Sequence, residues 1–202
     1  MTTENNPLLA RIEEEIRESC RVKERFPAEL KQQILRLAEQ IAARLRQGGT
    51  LYLAGNGGSA ADAQHLAAEL VGRLRRTRRA LPAVALTTNT SILTAVANDG
   101  SYDDVFARQV EALVRAGDVL IGISTSGESE NVVRALRAAQ TLQALTVGWT
   151  GESGGRVGSE AALCLRVPSR DTQRIQESHI LIGHIVCGLV EDLLEAAPAA
   201  SK

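Results

Sequence analysis

The chain has 202 residues, of which 44% are hydrophobic and 23% charged, a composition typical of one globular domain with a buried core. Aromatic residues make up only 2% and the formal net charge is −1, which argues against a base-stacking nucleic-acid surface and general attraction to polyanions. The sequence shows neither a signal-peptide pattern nor an apolar run long enough to span a bilayer, so we expect a cytoplasmic protein without a membrane segment.

Helices are predicted from about Leu8 to Gln47, where a shorter helix precedes a long amphipathic one that Pro27 opens. The apolar residues of the long helix recur at helical spacing: Leu30, Ile34, Leu37, Ile41 and Leu45. From Gly48 onward short apolar runs alternate with helical stretches. The predicted strands are Leu51–Ala54, Ala83–Leu86, Val119–Ile123, Leu145–Trp149 and Ala162–Val167. The predicted helices are Ala60–Leu74, Ser91–Ala97, Val105–Val114, Ser129–Leu142 and Gln173–Glu195. This alternation predicts an α/β fold with a mainly parallel sheet that binds ligands beyond the carboxyl ends of its strands.

A glycine-rich turn, Gly55–Ser59, leaves the first strand and leads into a helix. Glycines let backbone N–H groups approach a ligand closely and a helix N-terminus favours an anion, so this turn can cradle a phosphate. The turn also matches the dinucleotide pattern GxGxxA. An acidic residue is then expected about 20 positions later. Arginines followed by Thr87, Thr88 and Asn89 stand in that region instead, which leaves only weak support for an NADP site.

His65 and Glu69 lie four residues apart on the helix after this turn, so they share one face. Most such pairs are plain surface pairs. Their position beside a possible phosphate cradle raises the alternative of an acid–base pair or two metal ligands.

A second polar loop, Ser124–Ser129, follows the third predicted strand and precedes a helix. One serine or threonine suffices to cap a helix, whereas this loop carries four hydroxyl side chains in six residues. Four hydroxyls at a helix N-terminus suit a compact dianion, so we interpret the loop as a monophosphate site.

The segment Arg174–Leu189 places His184 among isoleucines and valines, so we expect this histidine to be buried. Helical spacing aligns Glu177 best with His184 and Gln176 less well, and spacing alone does not choose between them.

The basic run Arg73–Arg79 ends a helix and lacks aromatic residues, which favours a solvated helix end over a nucleic-acid patch. Cys20, Cys164 and Cys187 form no CxxC pair, so we expect reduced thiols.

Four segments together resemble the sugar isomerase (SIS) domain family, and most closely its sedoheptulose 7-phosphate isomerases. They are GNGGSAADAQHLAAEL, AVAND, GDVLIGISTSGES and RIQESHILIGH. The resemblance implies a three-layer, doubly wound α/β sandwich with a five-stranded parallel sheet and extra N-terminal helices. It further implies a single SIS domain over residues 1–202, with an α/β core at 49–197 and helices at 1–48 that pack on the core and in the oligomer.

Matching positions imply roles for individual residues. The implied ligands of one zinc ion per subunit are His65, Glu69, Gln176 and His184, so the resemblance selects Gln176 where spacing left Glu177 open. Glu69 and His184 match the acid–base pair. The implied substrate contacts are Asn56, Gly57, Gly58, Glu69, Asn98, Asp99 and Gln176, together with the phosphate loop Ser124, Thr125, Ser126 and Ser129.

The resemblance also implies an activity. It is the conversion of D-sedoheptulose 7-phosphate to D-glycero-D-manno-heptose 7-phosphate through an enediolate, the first step towards heptose precursors such as those of lipopolysaccharide. A homotetramer with active sites near subunit borders is implied as well, with no nucleic-acid or membrane partner.

A non-catalytic alternative has the same fold: adaptors that bind the replication initiator DnaA. These resemble the chain in several segments but lose the carboxylate at the Glu69 position and the histidine at the His184 position. Both residues are present here, which favours the enzyme. Related transcription regulators carry an added helix-turn-helix domain, for which the residues before the first strand are too few.

Overall fold

Five strands form one parallel sheet in the computed structural model, which describes residues 6–196. The strands are β1 (Leu51–Gly55), β2 (Ala83–Ala85), β3 (Val119–Ile123), β4 (Leu145–Thr150) and β5 (Leu163–Arg166). Their order in the sheet is β2-β1-β3-β4-β5. The chain therefore reverses direction across the sheet between β1 and β3, and such a switch point leaves a crevice beyond the carboxyl ends of the two strands.

In the described part of the chain, eight α-helices connect and flank these strands. They are α1 (Pro7–Glu24), α2 (Ala28–Arg46), α3 (Gly58–Val71), α4 (Thr90–Asp99), α5 (Ala107–Leu113), α6 (Glu130–Thr141), α7 (Gly155–Glu160) and α8 (Thr172–Ala196). A 3₁₀ segment, Tyr102–Asp104, follows α4. Within residues 6–196, no helix is both long enough and apolar enough to cross a bilayer.

Side chains alternate across the sheet and build two hydrophobic cores. Leu51 and Leu53 of β1 face the core shared with α2, α3 and α8, whereas Tyr52 and Ala54 face the core shared with α5, α6 and α7. This alternation follows from the two-residue period of a strand. The predicted three-layer α/β sandwich with a five-stranded parallel sheet is confirmed.

Most element boundaries agree with the prediction to within a few residues, and β3 agrees at both ends. Two elements were missed, α7 and the 3₁₀ segment, because both are too short to show an apolar period. Pro27 stands directly before α2, where its fixed φ angle suits the start of a helix.

The N-terminal helices pack on the α/β core through α8. Helix α2 contributes a continuous apolar face to one core, whereas α1 buries only Val22. Polar bonds hold α1 instead: the buried Arg174 guanidinium donates to the carbonyl of Glu15 at 2.6 Å and pairs with its carboxylate at 3.2 Å. The apolar side chains Leu8, Ile12 and Ile16 of α1 remain exposed.

The basic run Arg73–Arg79 is fastened to α8 by acidic residues. Glu191, only 2% exposed, accepts hydrogen bonds from the backbone N–H groups of Leu74 and Arg75 at 3.1 and 3.0 Å. The same carboxylate pairs with Arg78 at 2.9 Å, and Arg76 pairs with Asp192 at 2.9 Å. Arg78 is therefore structural and half-buried, whereas the other arginines of the run are exposed, as expected for a solvated helix end.

Replacing Glu191 with glutamine is expected to lower the free energy of unfolding by about 3 kcal/mol, because a buried ion pair loses one partner. Burial alone would raise the pKa of Glu191, but the two backbone donors and Arg78 hold it below its ordinary value. This stabilisation is therefore present above the ordinary carboxyl pKa and is lost as the pH falls through the lowered value. Urea denaturation at pH 7 measures the effect. The control is Asp192→Asn in an exposed pair, with an expected cost below about 1 kcal/mol. Equal costs for the two variants would contradict the prediction.

Candidate active site

The crevice at the switch point is bounded by the turn after β1 and the loop after β3. In the first turn Gly57 has a φ angle of +55°, a left-handed conformation that favours glycine. Gly58 begins α3, and a side chain there would overlap the amide group of Gln176. Gln176 of α8 therefore lies directly against the N-terminus of α3.

Three predicted site residues from α3 and α8 meet in one cluster. Nε2 of His65 lies 2.8 Å from Nε2 of His184 and 3.3 Å from Oε1 of Glu69. One ligand atom from each of the three residues lies within 4.8 Å of the others. His65 and Glu69 share a helix face, as their spacing predicted, whereas their meeting with His184 depends on how closely the two helices pack.

Gly183 explains this close packing. A Cβ atom at Gly183 would stand 2.5 Å from the side chain of Leu66, so only glycine lets α8 approach α3 at this level. Leu66 and Gly183 adjoin His65 and His184 in sequence. The glycine therefore brings the two imidazoles together.

The donor set of the cluster fits a zinc ion. Two imidazole nitrogens and one carboxylate oxygen are a known set of protein ligands in catalytic zinc sites, where a fourth position stays open. Two Nε2 atoms 2.8 Å apart repel unless one carries a proton or a cation lies between them. His65, Glu69 and His184 would hold the ion, and Gln176 is the remaining member of the predicted ligand set.

The side chains of Gln176 and Glu177 point in different directions in the structure. Glu177 turns towards α1, where it accepts a hydrogen bond from Ser19 at 2.6 Å and pairs with Arg174 at 3.0 Å. Gln176 instead faces the glycine turn. Of the two residues that helical spacing left open, only Gln176 lies beside the crevice.

His184 is partly exposed, so the expectation that it is buried was wrong. Helix α8 is apolar on most of its surface, but the side that carries His184 and Ile185 is not fully covered within residues 6–196. Ile185 is 39% exposed. The histidine is therefore open to a ligand.

Three serine side chains lie close together in the loop after β3. Oγ of Ser124 lies 2.9 Å from Oγ of Ser129 and 3.4 Å from Oγ of Ser126. Ser129 occupies the N-cap position of α6, yet its side chain makes no capping hydrogen bond. Thr125 also lies in the loop and is partly exposed. The hydroxyls therefore converge beside a helix N-terminus rather than serving as an ordinary cap, which is suited to a phosphate.

Asn98 and Asp99 lie at the end of α4, and both are exposed. Their side chains bond to each other at 2.9 Å. Within residues 6–196 no hydrogen bond or ion pair joins them to the cluster or to the serine loop. Their predicted substrate contacts remain a prediction.

Sequence reasoning missed two groups of polar residues around the crevice. Asn131 and Tyr102 both hydrogen-bond to Asn56, at 2.9 and 3.2 Å. Asp62 is buried near His65, and its Oδ2 has no partner among the described residues. Burial raises the pKa of Asp62 to about 6, and the nearby His65 opposes this shift. The sequence does carry a signal for Asp62, because it is an acidic residue one helical turn before His65 among apolar residues of α3.

His179 is a second histidine on α8 and, unlike His184, it is fully buried. Its Nε2 lies 3.2 Å from the carbonyl oxygen of Thr150 at the end of β4, and its Nδ1 has no partner among the described residues. Burial lowers the pKa of His179 to about 4, against the opposing hydrogen bond to Thr150. This imidazole is therefore neutral at pH 7 and links α8 to the sheet.

Replacing His179 with glutamine is expected to flatten the acid dependence of stability, because glutamine can keep the bond to Thr150 without titrating. An unfolded histidine binds its proton near pH 6.5 and the folded one near pH 4. The unfolded state therefore binds more protons between these values, and stability falls as the pH drops. We expect this histidine to cost the wild type about 2 kcal/mol between pH 7 and pH 5. Urea denaturation across that range measures it, and parallel profiles for both proteins would contradict the prediction.

The sequence and the fold of the chain are both similar to those of known proteins. A family model described as the SIS domain matches residues 16–151. The phosphoheptose isomerase of Aquifex aeolicus is 54% identical over 187 residues, which cover 93% of this chain and 98% of that protein. The solved phosphoheptose isomerase of Neisseria gonorrhoeae is 44% identical with a TM-score of 0.82, covering 92% of this chain and 99% of that one. That of Francisella tularensis is 34% identical with a TM-score of 0.88, covering 93% and 100%.

Proposed function

The chain belongs to the SIS domain family and within it to the phosphoheptose isomerases, and from this premise we propose that it converts D-sedoheptulose 7-phosphate to D-glycero-D-manno-heptose 7-phosphate. The observation that carries the proposal is the cluster of His65, Glu69 and His184 on the two helices that flank the glycine turn. The resemblance implies that the DnaA-binding adaptors lack the side chains matching Glu69 and His184, and the relatives above give the adaptor function no support.

The reaction moves one hydrogen between neighbouring carbons. A base removes the proton from C1 of the ketose, an enediolate forms, and a proton returns at C2 while the proton on O1 leaves and O2 gains one. We assign the C1 proton to Glu69, since a carboxylate that is only partly exposed can act as a general base. The imidazole of His184 faces the same space and handles the proton at the oxygen or at the opposite carbon.

Binding of the phosphate fixes the far end of the substrate. The converging hydroxyls of Ser124, Ser126 and Ser129 and the N-terminus of α6 support this role. Anchoring one end restricts the reactive carbons to the side of the crevice that carries Glu69, and such restriction contributes to the rate. We propose that the remaining substrate contacts are made by Thr125, Asn56, Gly57, Gly58, Asn98, Asp99 and Gln176.

We propose that one zinc ion per subunit is held by His65, Glu69, Gln176 and His184. When bound, zinc supplies Lewis-acid polarisation of the substrate oxygens. Glu69 has two carboxylate oxygens, so one can accept a proton while the other serves as a ligand.

We further propose a homotetramer in the cytoplasm. Leu8, Ile12 and Ile16 form an exposed apolar row on α1, and Ile185 is exposed beside His184. A second copy of the chain would cover these side chains, and light scattering measures the oligomer. The described cysteines, Cys20, Cys164 and Cys187, are all free, as in reducing compartments.

A direct assay tests the function. The purified protein is incubated with sedoheptulose 7-phosphate, and the aldose product is followed by chromatography or by proton exchange into deuterated water. We expect conversion with incorporation of solvent deuterium at the carbon that is protonated. Absence of both conversion and exchange would refute the proposal, and capture of DnaA by the inactive protein would then favour the adaptor.

A further inference from the structure

We propose that Asn131 and Tyr102 are positioning residues that hold Asn56, and with it the turn after β1, in the geometry required for catalysis. The three residues are called the Asn56 junction below. This role presupposes the isomerase activity proposed above.

The two asparagines form a reciprocal pair. The Nδ2 group of Asn56 donates to Oδ1 of Asn131 at 2.9 Å, and the Nδ2 group of Asn131 donates to Oδ1 of Asn56 at 2.9 Å. Asn131 is only 3% exposed. Because unpaired buried amides are costly, each asparagine restrains the rotamer of the other.

Tyr102 adds a third bond from a different segment. Its hydroxyl donates to Oδ1 of Asn56 at 3.2 Å, while the residue is 54% exposed. The 3₁₀ segment that begins with Tyr102 is also held to α6, since Arg134 pairs with Asp104 at 2.7 Å. The carboxamide of Asn56 thus accepts two hydrogen bonds and donates one, which leaves a single N–H for a substrate.

The junction connects the segments that carry the proposed substrate contacts. Asn56 follows β1 and precedes the glycine turn, and Asn131 lies two residues after Ser129 of the phosphate loop. Tyr102 follows Asp99 by three residues. These three segments converge on one carboxamide across the switch point between β1 and β3. The junction therefore fixes the spacing between the phosphate loop and the turn that faces Gln176.

Loss of the junction should misalign these loops without removing a group that touches the reacting carbons. Small displacements of a bound substrate reduce catalysis strongly, and a shift of about 1 Å can cost about 100-fold. A substitution elsewhere that only lowers stability would not change the kinetics of the folded protein.

The test compares Asn131→Leu with Gln109→Leu. Gln109 is an equally buried amide that donates two hydrogen bonds, to the carbonyl oxygens of Leu86 and Val105 at 2.9 and 2.8 Å. Both variants lose buried amide bonds, but only one loses the junction. The measurements are kcat and KM for sedoheptulose 7-phosphate and the increase in Tm caused by inorganic phosphate alone.

We expect Asn131→Leu to lower kcat/KM by about 10- to 100-fold relative to Gln109→Leu at a similar Tm, and to weaken the stabilisation by phosphate. Tyr102→Phe should show a smaller decrease in kcat/KM at an unchanged Tm. Equal kcat/KM values for Asn131→Leu and Gln109→Leu would overturn the inference.

Two further outcomes are also decisive. If Asn131→Leu does not fold, Tyr102→Phe decides, because Tyr102 is 54% exposed and its replacement costs little stability. Wild-type kcat/KM in Tyr102→Phe would overturn the inference, and a decrease would support it. If the wild type has no isomerase activity, the proposed function is refuted, but the positioning role is still tested by the increase in Tm caused by inorganic phosphate. Loss of this increase in Asn131→Leu but not in Gln109→Leu would support the positioning role, and an equal increase in both variants would overturn it.

Discussion

Replacing Glu69 with glutamine is expected to lower the turnover of sedoheptulose 7-phosphate by about 100- to 10,000-fold, the usual contribution of a general base. Glutamine has the same shape and retains an oxygen beside His65, but it cannot accept the C1 proton. The decrease should therefore appear in kcat more than in KM, because the substitution leaves the loop that binds the substrate's phosphate unchanged. Steady-state kinetics and exchange of the C1 proton with solvent measure the two effects.

Glu177→Gln is the matched control for this variant. It makes the same chemical change in a partly exposed glutamate of α8, but Glu177 points towards Ser19 and Arg174 of the α1–α8 contact. We expect kcat to stay near the wild-type value in this control. Turnover near the wild-type rate in Glu69→Gln would contradict the assignment of the base.

The sequence predicted the sheet well because its strands are continuous apolar runs. β3 is the clearest case: the run VLIGI lies between the polar residues Asp118 and Ser124, and all five residues are buried. Helix α7 has the sequence GRVGSE, whose two glycines and six-residue length leave no apolar period to detect. Local pattern therefore predicted the long elements and missed the short ones.

The sequence predicted individual segments of the candidate site, but how these segments come together was known only from the tertiary structure. The spacing of His65 and Glu69 was sufficient to place them on one face. Spacing left Glu177 open, and the structure directs its side chain away from the crevice to Ser19, 158 residues away in sequence. The partial exposure of His184 depends on which face of an apolar helix the rest of the chain covers. Asn131 and Tyr102 were missed for the same reason, since their roles arise only where separate loops meet at Asn56.

Removal of the proposed zinc ion is expected to lower turnover by about 100-fold or more, and added zinc should restore it. The reason is that ligand atoms of His65, Glu69 and His184 lie within 4.8 Å of one another. A cation bound there would stabilise the close approach of the two imidazole nitrogens. Dialysis against a chelator, followed by addition of zinc and measurement of the metal content, tests this. Full activity in protein that has lost its metal would contradict the prediction.

Variants of the chain's three histidines distinguish a role as metal ligand from a role in proton transfer. His65→Ala should bind zinc weakly and recover part of its activity at high zinc concentration, because we assign His65 only to the metal. His184→Ala should stay inactive at every zinc concentration, because the imidazole of His184 is also the proposed proton carrier. His179→Gln is the control, since His179 bonds to Thr150 away from the cluster, and it should retain both metal and activity. Equal recovery of His65→Ala and His184→Ala with zinc would limit His184 to a ligand and leave the second proton transfer to another group.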